Sequence, residues 1–414
     1  MQSIFSIAIL CILVLTGARS ELSAEIKIVP VGNLQLTGGQ AFLKNEATSF
    51  GSNLNIFFAP VINFSANTAL LPMYSGVYRG TKDVQELVGG GTLTREYLDN
   101  SLSLKFVNRF SENLKGKIRG GYKIEYLKET KDEEWTKGLF DYNKTIVGLE
   151  VEKIFPDATV NLRAGYDYYK MAYPNYATLI SKNQYQTSID TTTYKEVSAN
   201  AGVNVLDYDT HEIFIEAVKG FSDSFTGKFL YDLSLKNFAD QHLIDEAGAF
   251  STTLRKDTIH LVGFTLQTSA HRAVLSVADS IQYYTSNQNS YDAGRTQFIP
   301  NFYNFVQNSV APSVLFYLGR KQPYGRLNFW WEITHRKYQD RIAQKDDGTY
   351  TAEKIYQATN TLGFALSYPL GIMKGLSARV SANYRDASSN MKYEKYYKYN
   401  YYITNYFAGI EWEM

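Results

Sequence analysis

Five histidines, His211, His242, His260, His271 and His335, are the first side chains to weigh for chemistry, because imidazole binds metals and exchanges protons near neutral pH. None stands in an HExxH pair or another close ligand set, so their spacing supports no metal centre. His260 and His335 fall on predicted strands, where either could face an enclosed space; paired with a Ser or Asp, it would be the machinery of a hydrolase. Ser and Asp are so plentiful that such pairs arise by chance, so no catalytic residue is assigned and the chain is read as a non-enzyme without a cofactor. Gly89-Gly90-Gly91 lacks the Lys-Ser/Thr that completes a phosphate loop, which leaves it as a turn. The single cysteine, Cys11, lies in the leading apolar run, so the rest of the chain has neither thiol chemistry nor disulfides.

A second set of reactive groups recurs at a spacing of two. Lys117, Arg119, Lys123 and Glu125 alternate with Ile118, Gly120, Tyr122, Ile124 and Tyr126. Glu150 and Glu152 oppose Val147, Leu149 and Val151, while Arg163 and Asp167 oppose Leu162, Ala164, Tyr166 and Tyr168. Late in the chain Arg379 and Arg385 oppose Leu376, Ala378, Val380, Ala382 and Tyr384, and Arg326 and Glu332 belong to the same pattern. Successive side chains of a strand point to opposite faces, so each segment presents one oily and one charged face. An ionised Arg or Lys on a lipid-facing wall near the bilayer midplane costs about 2–4 kcal/mol, which drives these charges to the face that meets water. Their chemistry is to line an aqueous space. Mixed signs predict weak ion selectivity if that space conducts.

The elements that must carry these charges are strands. Aromatic residues are 15% of the chain, with 33 Tyr and 24 Phe, an excess that suits a water–lipid boundary. A net charge of +1 gives no reason to expect a nucleic-acid partner. The run from Ile4 to Leu15, followed by small residues, has the length of a secretory signal, giving a signal segment over 1–20 and one domain over 21–414. Elsewhere nothing approaches the roughly 18 consecutive apolar residues of a membrane helix. Brief links at 65–67, 111–113, 156–157, 207–210, 269–271, 322–324 and 373–375 alternate with polar stretches at 80–97, 128–139, 172–193, 222–256, 286–302, 338–355 and 387–399. This spacing predicts about sixteen antiparallel strands, with fourteen or eighteen also compatible. Glu25 to Leu36 supplies the first strand and Val197 to Val205 an inner one; 222–256, the longest polar stretch, is the candidate for a loop folded into the lumen.

The final strand carries the most specific pattern. Tyr402, Thr404, Tyr406, Ala408, Ile410, Trp412 and Met414 share one face, opposite Asn405, Gly409, Glu411 and Glu413. This run resembles the terminal assembly signal of bacterial outer-membrane β-barrel proteins, with Tyr402, Tyr406, Ile410, Trp412 and Met414 in the recognised positions and Met where that family usually has Phe. The resemblance implies an up-and-down transmembrane barrel in the bacterial outer membrane, with short periplasmic turns and longer extracellular loops. It also implies insertion by the barrel-assembly machinery and contact with lipid and lipopolysaccharide, and it is compatible with a homotrimer. A porin-like passive channel for small hydrophilic solutes is the expected function. Alternatives are a surface receptor or adhesin, a structural barrel, an outlet for exported polymer, or a barrel hydrolase. The run Lys392 to Tyr399 reads as part of an aromatic rim girdle.

Overall fold

The computed structural model describes residues 26–86, 92–128, 133–176, 204–319, 322–394 and 398–414. All regular structure among them is β. A short strand, β1 (Lys27–Val29), precedes the wall strands β2 (Gly32–Leu43) and β3 (Glu46–Phe58), and β4 (Val61–Asn63) follows. The wall continues through β5 (Thr68–Glu86), β6 (Thr92–Ser111), β7 (Leu114–Lys128), β8 (Tyr142–Phe155), β9 (Val160–Ala172) and β10 (Tyr208–Ser222). Then come β11 (Phe225–Ile244), β12 (Phe250–Ala270) and β13 (Ala273–Ser286), followed by a small separate hairpin of β14 (Ser290–Asp292) and β15 (Gln297–Ile299). β16 (Phe305–Leu318), β17 (Gly325–Gln344), β18 (Tyr350–Pro369), β19 (Leu376–Ser389) and β20 (Tyr401–Glu413) complete the wall. β20 pairs antiparallel with β2, from Asn33↔Glu413 to Leu43↔Ile403, so sixteen strands close into a barrel without a free edge.

Closure explains why this composition folds. Across the wall one face is apolar and exposed: Ile118, Val147, Leu149, Val151, Ile213, Phe264, Leu266, Val277, Leu362 and Ile410 all belong to it. Leu149, at 58% exposure, would be an anomaly on a water-facing sheet; on a belt that encircles the molecule it marks contact with lipid. The backbone of each strand is satisfied by its two neighbours, as a hydrocarbon environment demands. The molecule is therefore a transmembrane barrel of the outer-membrane type.

Several boundaries differ from the sequence reading. The stretch 222–256 is not a loop: β10 runs to Ser222, Asp223 and Ser224 form a turn, and β11 and β12 occupy most of the remainder, joined by residues 245–249. Tyr208 to Thr210, expected in a turn, begin β10. The predicted strand at 197–205 lies almost wholly outside the described residues, as do 1–20, Gly89 to Gly91 and residues 395–397 of the Lys–Tyr run. The count of sixteen survives because β10 and β11 replace the two strands expected on either side of 207–210. The misreading has a physical source, since the Lys228, Asp232, Ser234 and Lys236 face of β11 is as polar as a loop.

The other long polar stretches divide similarly. Residues 80–97 and 338–355 are largely the outer ends of strand pairs, and register shifts mark where the regular ladder ends. These occur between Arg79 and Asp83, between Asn237 and His242, and between Lys337 and Ile342. At the same end Lys44 and Asn45, at φ of 51° and 67°, form a tight hairpin turn joining β2 to β3. The first strand breaks at Pro30 into β1, which pairs with β4, and the true wall strand β2.

Candidate functional site: the polar lumen

Strand parity decides which side chains face inward. On β7 Ile118 and Tyr122 are exposed on the outer face, so Lys117, Arg119, Lys123 and Glu125 lie on the inner one. The cross-strand register carries this face to Glu150 and Glu152 on β8 and to Arg163 and Asp167 on β9. Arg326 and Glu332 on β17 and Arg379 and Arg385 on β19 take the inner face of the opposite wall. Tyr402, Tyr406, Ile410, Trp412 and Met414 lie on the outer side, where Trp412 Nε1 donates to the Lys374 carbonyl at 3.2 Å. His260 and His335 fall on the outer face with Phe264 and Trp331, contrary to the lumen position considered for them. His260 Nδ1 sits 3.0 Å from the Tyr231 hydroxyl. Among the described residues no group of His, Cys, Asp and Glu is arranged to hold a metal ion.

The inner charges are organised as a network along β6 to β11. Lys117 Nζ lies 2.6 Å from both Glu150 and Glu152, and Lys115 reaches Glu152 at 3.2 Å. Arg163 bridges Glu150 at 2.9 Å and Glu216 at 2.8 Å, and Lys228 also pairs with Glu216. Arg119 grips the buried Asp167 with two guanidinium nitrogens, and Lys123 pairs with Asp99 and, at 3.1 Å, with Glu125. Gly148 makes the Arg119–Asp167 contact possible, because a Cβ there would lie 1.7 Å from the Asp167 carboxylate. Neighbouring strands present opposite charges at adjacent register positions, so the charges neutralise one another laterally within the wall. Asp99, Glu216 and Lys228 were missed from sequence: two lie on β10 and β11, whose bounds were misread, and Asp99 sits within a weakly alternating segment.

The opposite inner wall, β19 through β3, is a contrast. It carries mainly amides and hydroxyls, with a small charged cluster at one end, where Glu411 accepts from Arg379 at 3.2 Å and Arg326 meets Glu413 at 2.7 Å. A polar cavity of about 290 Å³ lies here, bordered by Arg79, Tyr97, Arg379 and a set of Asn, Gln, Thr and Ser side chains.

The outer mouth is narrowed on one side. Phe238, Asp257, Tyr284, Phe305 and Tyr338 face inward, and residues from the 287–304 and 390–400 links pack on them. The Arg255 guanidinium lies between Phe238 (4.2 Å) and Tyr303 (4.1 Å) and bonds to Asp257 at 2.6 Å. Arg341 stacks near Phe302 at 4.2 Å and donates to the Tyr399 hydroxyl at 2.7 Å. The segment folded inward is therefore 287–304, with its β14–β15 hairpin, in place of 222–256. On the other side of the mouth, Asp141 accepts from the Leu127 backbone N–H at 2.7 Å and from Asn175 at 3.3 Å. Burial lifts the Asp141 carboxyl above its ordinary range and pushes the nearby Tyr173 hydroxyl up to about 12.

No protein-family description and no curated protein matches this chain. Solved structures of similar shape include the outer-membrane protein OmpT of Vibrio cholerae in a trimer form, at 9% identity and TM-score 0.47, covering 94% of this chain and all of that one. The outer-membrane protein OpdK of Pseudomonas aeruginosa aligns at 9% identity and TM-score 0.44, covering 93% and 99% of the two chains. OpdQ of the same organism aligns at 10% identity and TM-score 0.44, covering 94% and 97%. Resemblance at this level concerns architecture alone. What the closed ladder, the apolar belt and the charged interior establish together is a transmembrane antiparallel β-barrel of sixteen strands, of the outer-membrane type.

Proposed function

We propose that the barrel is a porin-like passive channel for small hydrophilic solutes, working without catalytic residues or a cofactor. The observation that carries this reading is the interior: a sixteen-strand wall encloses more than its own side chains can fill, and charged, amide and hydroxyl side chains line its inner face below the aromatic cluster at the outer mouth. The paired charges on β6 to β11 give water a continuous polar lining with little net field. The twelve inward residues from Lys117 to Arg385 are pore-lining in this reading, and the 287–304 segment sets the constriction. Signal segment 1–20 delivers the chain to the envelope, and the outward row from Tyr402 to Met414 serves recognition by the barrel-assembly machinery. Lipopolysaccharide surrounds the outer rim of the wall in this reading, and a homotrimer is the assembly to look for by crosslinking. Liposome swelling tests the channel. Proteoliposomes should swell in isotonic small sugars at rates that fall steeply with solute size, and proteoliposomes as tight as protein-free ones would replace the channel with a receptor or structural barrel.

A further inference from the structure

The outer face of the wall is apolar along most of the belt, and β13 departs from that rule. Its outward row runs Leu275, Val277, Asp279, Ile281 and Tyr283, and every member but Asp279 is an exposed apolar or aromatic side chain. Asp279 is the middle one of the five, opposite Phe264 on β12 and Val310 on β16, so it stands within the belt and away from its edges. Asn308, on the outward row of β16, donates to it at 2.8 Å. Among the described residues this is the one hydrogen bond that Asp279 accepts, and its second carboxyl oxygen stays open. An ionisable side chain at membrane depth is costly against lipid and marks a place where something else meets the wall.

Two further features share this side of the barrel. Pro312, on the same outward row of β16 and opposite Val277, has no N–H to give, and the β16–β17 pairing lapses at Ala311 and Pro312 before resuming at Ser313. In hydrocarbon, irregular backbone is tolerated where protein covers it. Beside this gap the outer wall is hollowed into an apolar groove of about 750 Å³, running from Val277 past Pro312, Trp331 and Leu362 to Tyr384 and Tyr406. Small Pro312 and Ala382 line it, and the exposed Phe329, Trp331, Leu362 and Tyr406 rise around them.

We infer that this face, formed by β13 and β16 to β20, docks a second copy of this chain. Six strands at about 4.8 Å each, over the roughly 25 Å height of the belt, give roughly 700 Å² of wall, close to the roughly 800 Å² that each partner contributes to a standard interface. An acyl chain fills a groove but has no donor for Asp279. A second copy has one, because Tyr384 and Tyr406 stand exposed on the β19–β20 flank of the same face. Setting the β13 flank of one copy against the β19–β20 flank of the next is a heterologous contact, the kind that closes into a ring. The inference rests on the homo-oligomer of the proposed function and gives that assembly its face.

The test is the mass of the folded barrel in mild detergent, measured by light scattering. The parent should have the mass of an oligomer. Ala382→Trp, which fills the groove, and Asp279→Leu, which removes the carboxyl, should each weaken association at least about tenfold, the value of one charge-assisted hydrogen bond. Val147→Trp, on the exposed outer face of β8, should leave association unchanged. Each variant is first shown to be folded by its anomalous gel migration before boiling. A folded Ala382→Trp or Asp279→Leu barrel that associates as the parent does would overturn the face. So would a monomeric parent: greater heat resistance in its Asp279→Leu variant would assign the wall to lipid, and a different polypeptide released by Ala382→Trp would assign it to a foreign partner. An oligomeric parent without solute flux would leave the face standing and remove the channel, whereas flux through a monomeric parent would do the reverse.

Discussion

At the scale of single residues, the inner wall depends on glycines that leave room for its charges. Gly148 lies under the Arg119–Asp167 pair and Gly120 lies on the outer face, with nothing closer than 4.0 Å to a Cβ placed there. Gly148→Ala should displace Asp167, whose side chain is buried, and destabilise the barrel by about 1–3 kcal/mol, while Gly120→Ala should be close to neutral. The temperature at which each variant loses its compact gel migration measures the difference. Charges on two-residue spacing were legible from sequence because alternation is a property of the strand itself. The polar cavity bordered by Arg379 and Arg79 was not legible, because it is a property of register: Arg379, Thr37, Asn53 and Arg79 belong to four strands scattered along the chain. Arg79 gave no signal by itself, and amides carry no charge to mark a face.

At the scale of elements, the inward segment 287–304 is held by two arginines sandwiched among aromatic rings. Arg255 has the more buried position, and its loss would take from Asp257 its bonded guanidinium, leaving the Tyr284 hydroxyl and the facing Lys236. Removing one partner of a buried pair costs about 3–5 kcal/mol, although here the penalty falls on the rim and the wall ladder stays intact. Arg255→Ala should therefore loosen the segment without unfolding the barrel. Limited proteolysis should cut within 287–304 in the variant and spare the parent, and deleting 290–299 should raise solute flux further. Sequence placed the constriction at 222–256 because length and polarity were the only guides. β11 and β12 show why these fail: a strand whose outer end rises clear of lipid has no reason to keep an apolar face, so Gln241 to Ile244 and Phe250 to Thr253 read as loop while continuing the sheet. The fold class was legible despite this, since one displaced turn shifts two strands and leaves their number unchanged.

At the scale of the whole molecule, the lining is divided between a charged wall on β6 to β11 and a largely neutral wall on β19 through β3. Pairing within the charged wall leaves little net field, so a salt gradient across a planar bilayer should give a reversal potential near zero. Glu150→Gln leaves Arg163 and Lys117 with fewer anionic partners and should shift that potential toward anion preference. No change would mean that ions do not pass this wall.

The measurement that bears most directly on the central claim is cysteine accessibility along one strand of the lipid-embedded barrel. In a chain with Cys11 replaced by Ser, single cysteines at Val380, Ser381, Ala382 and Asn383 of β19 would be challenged in proteoliposomes with a charged, membrane-impermeant thiol reagent. Positions 381 and 383 face the interior and should react, while 380 and 382 face lipid and should stay silent. Uniform labelling of all four, or labelling at 380 and 382 alone, would contradict a barrel with water inside and lipid outside.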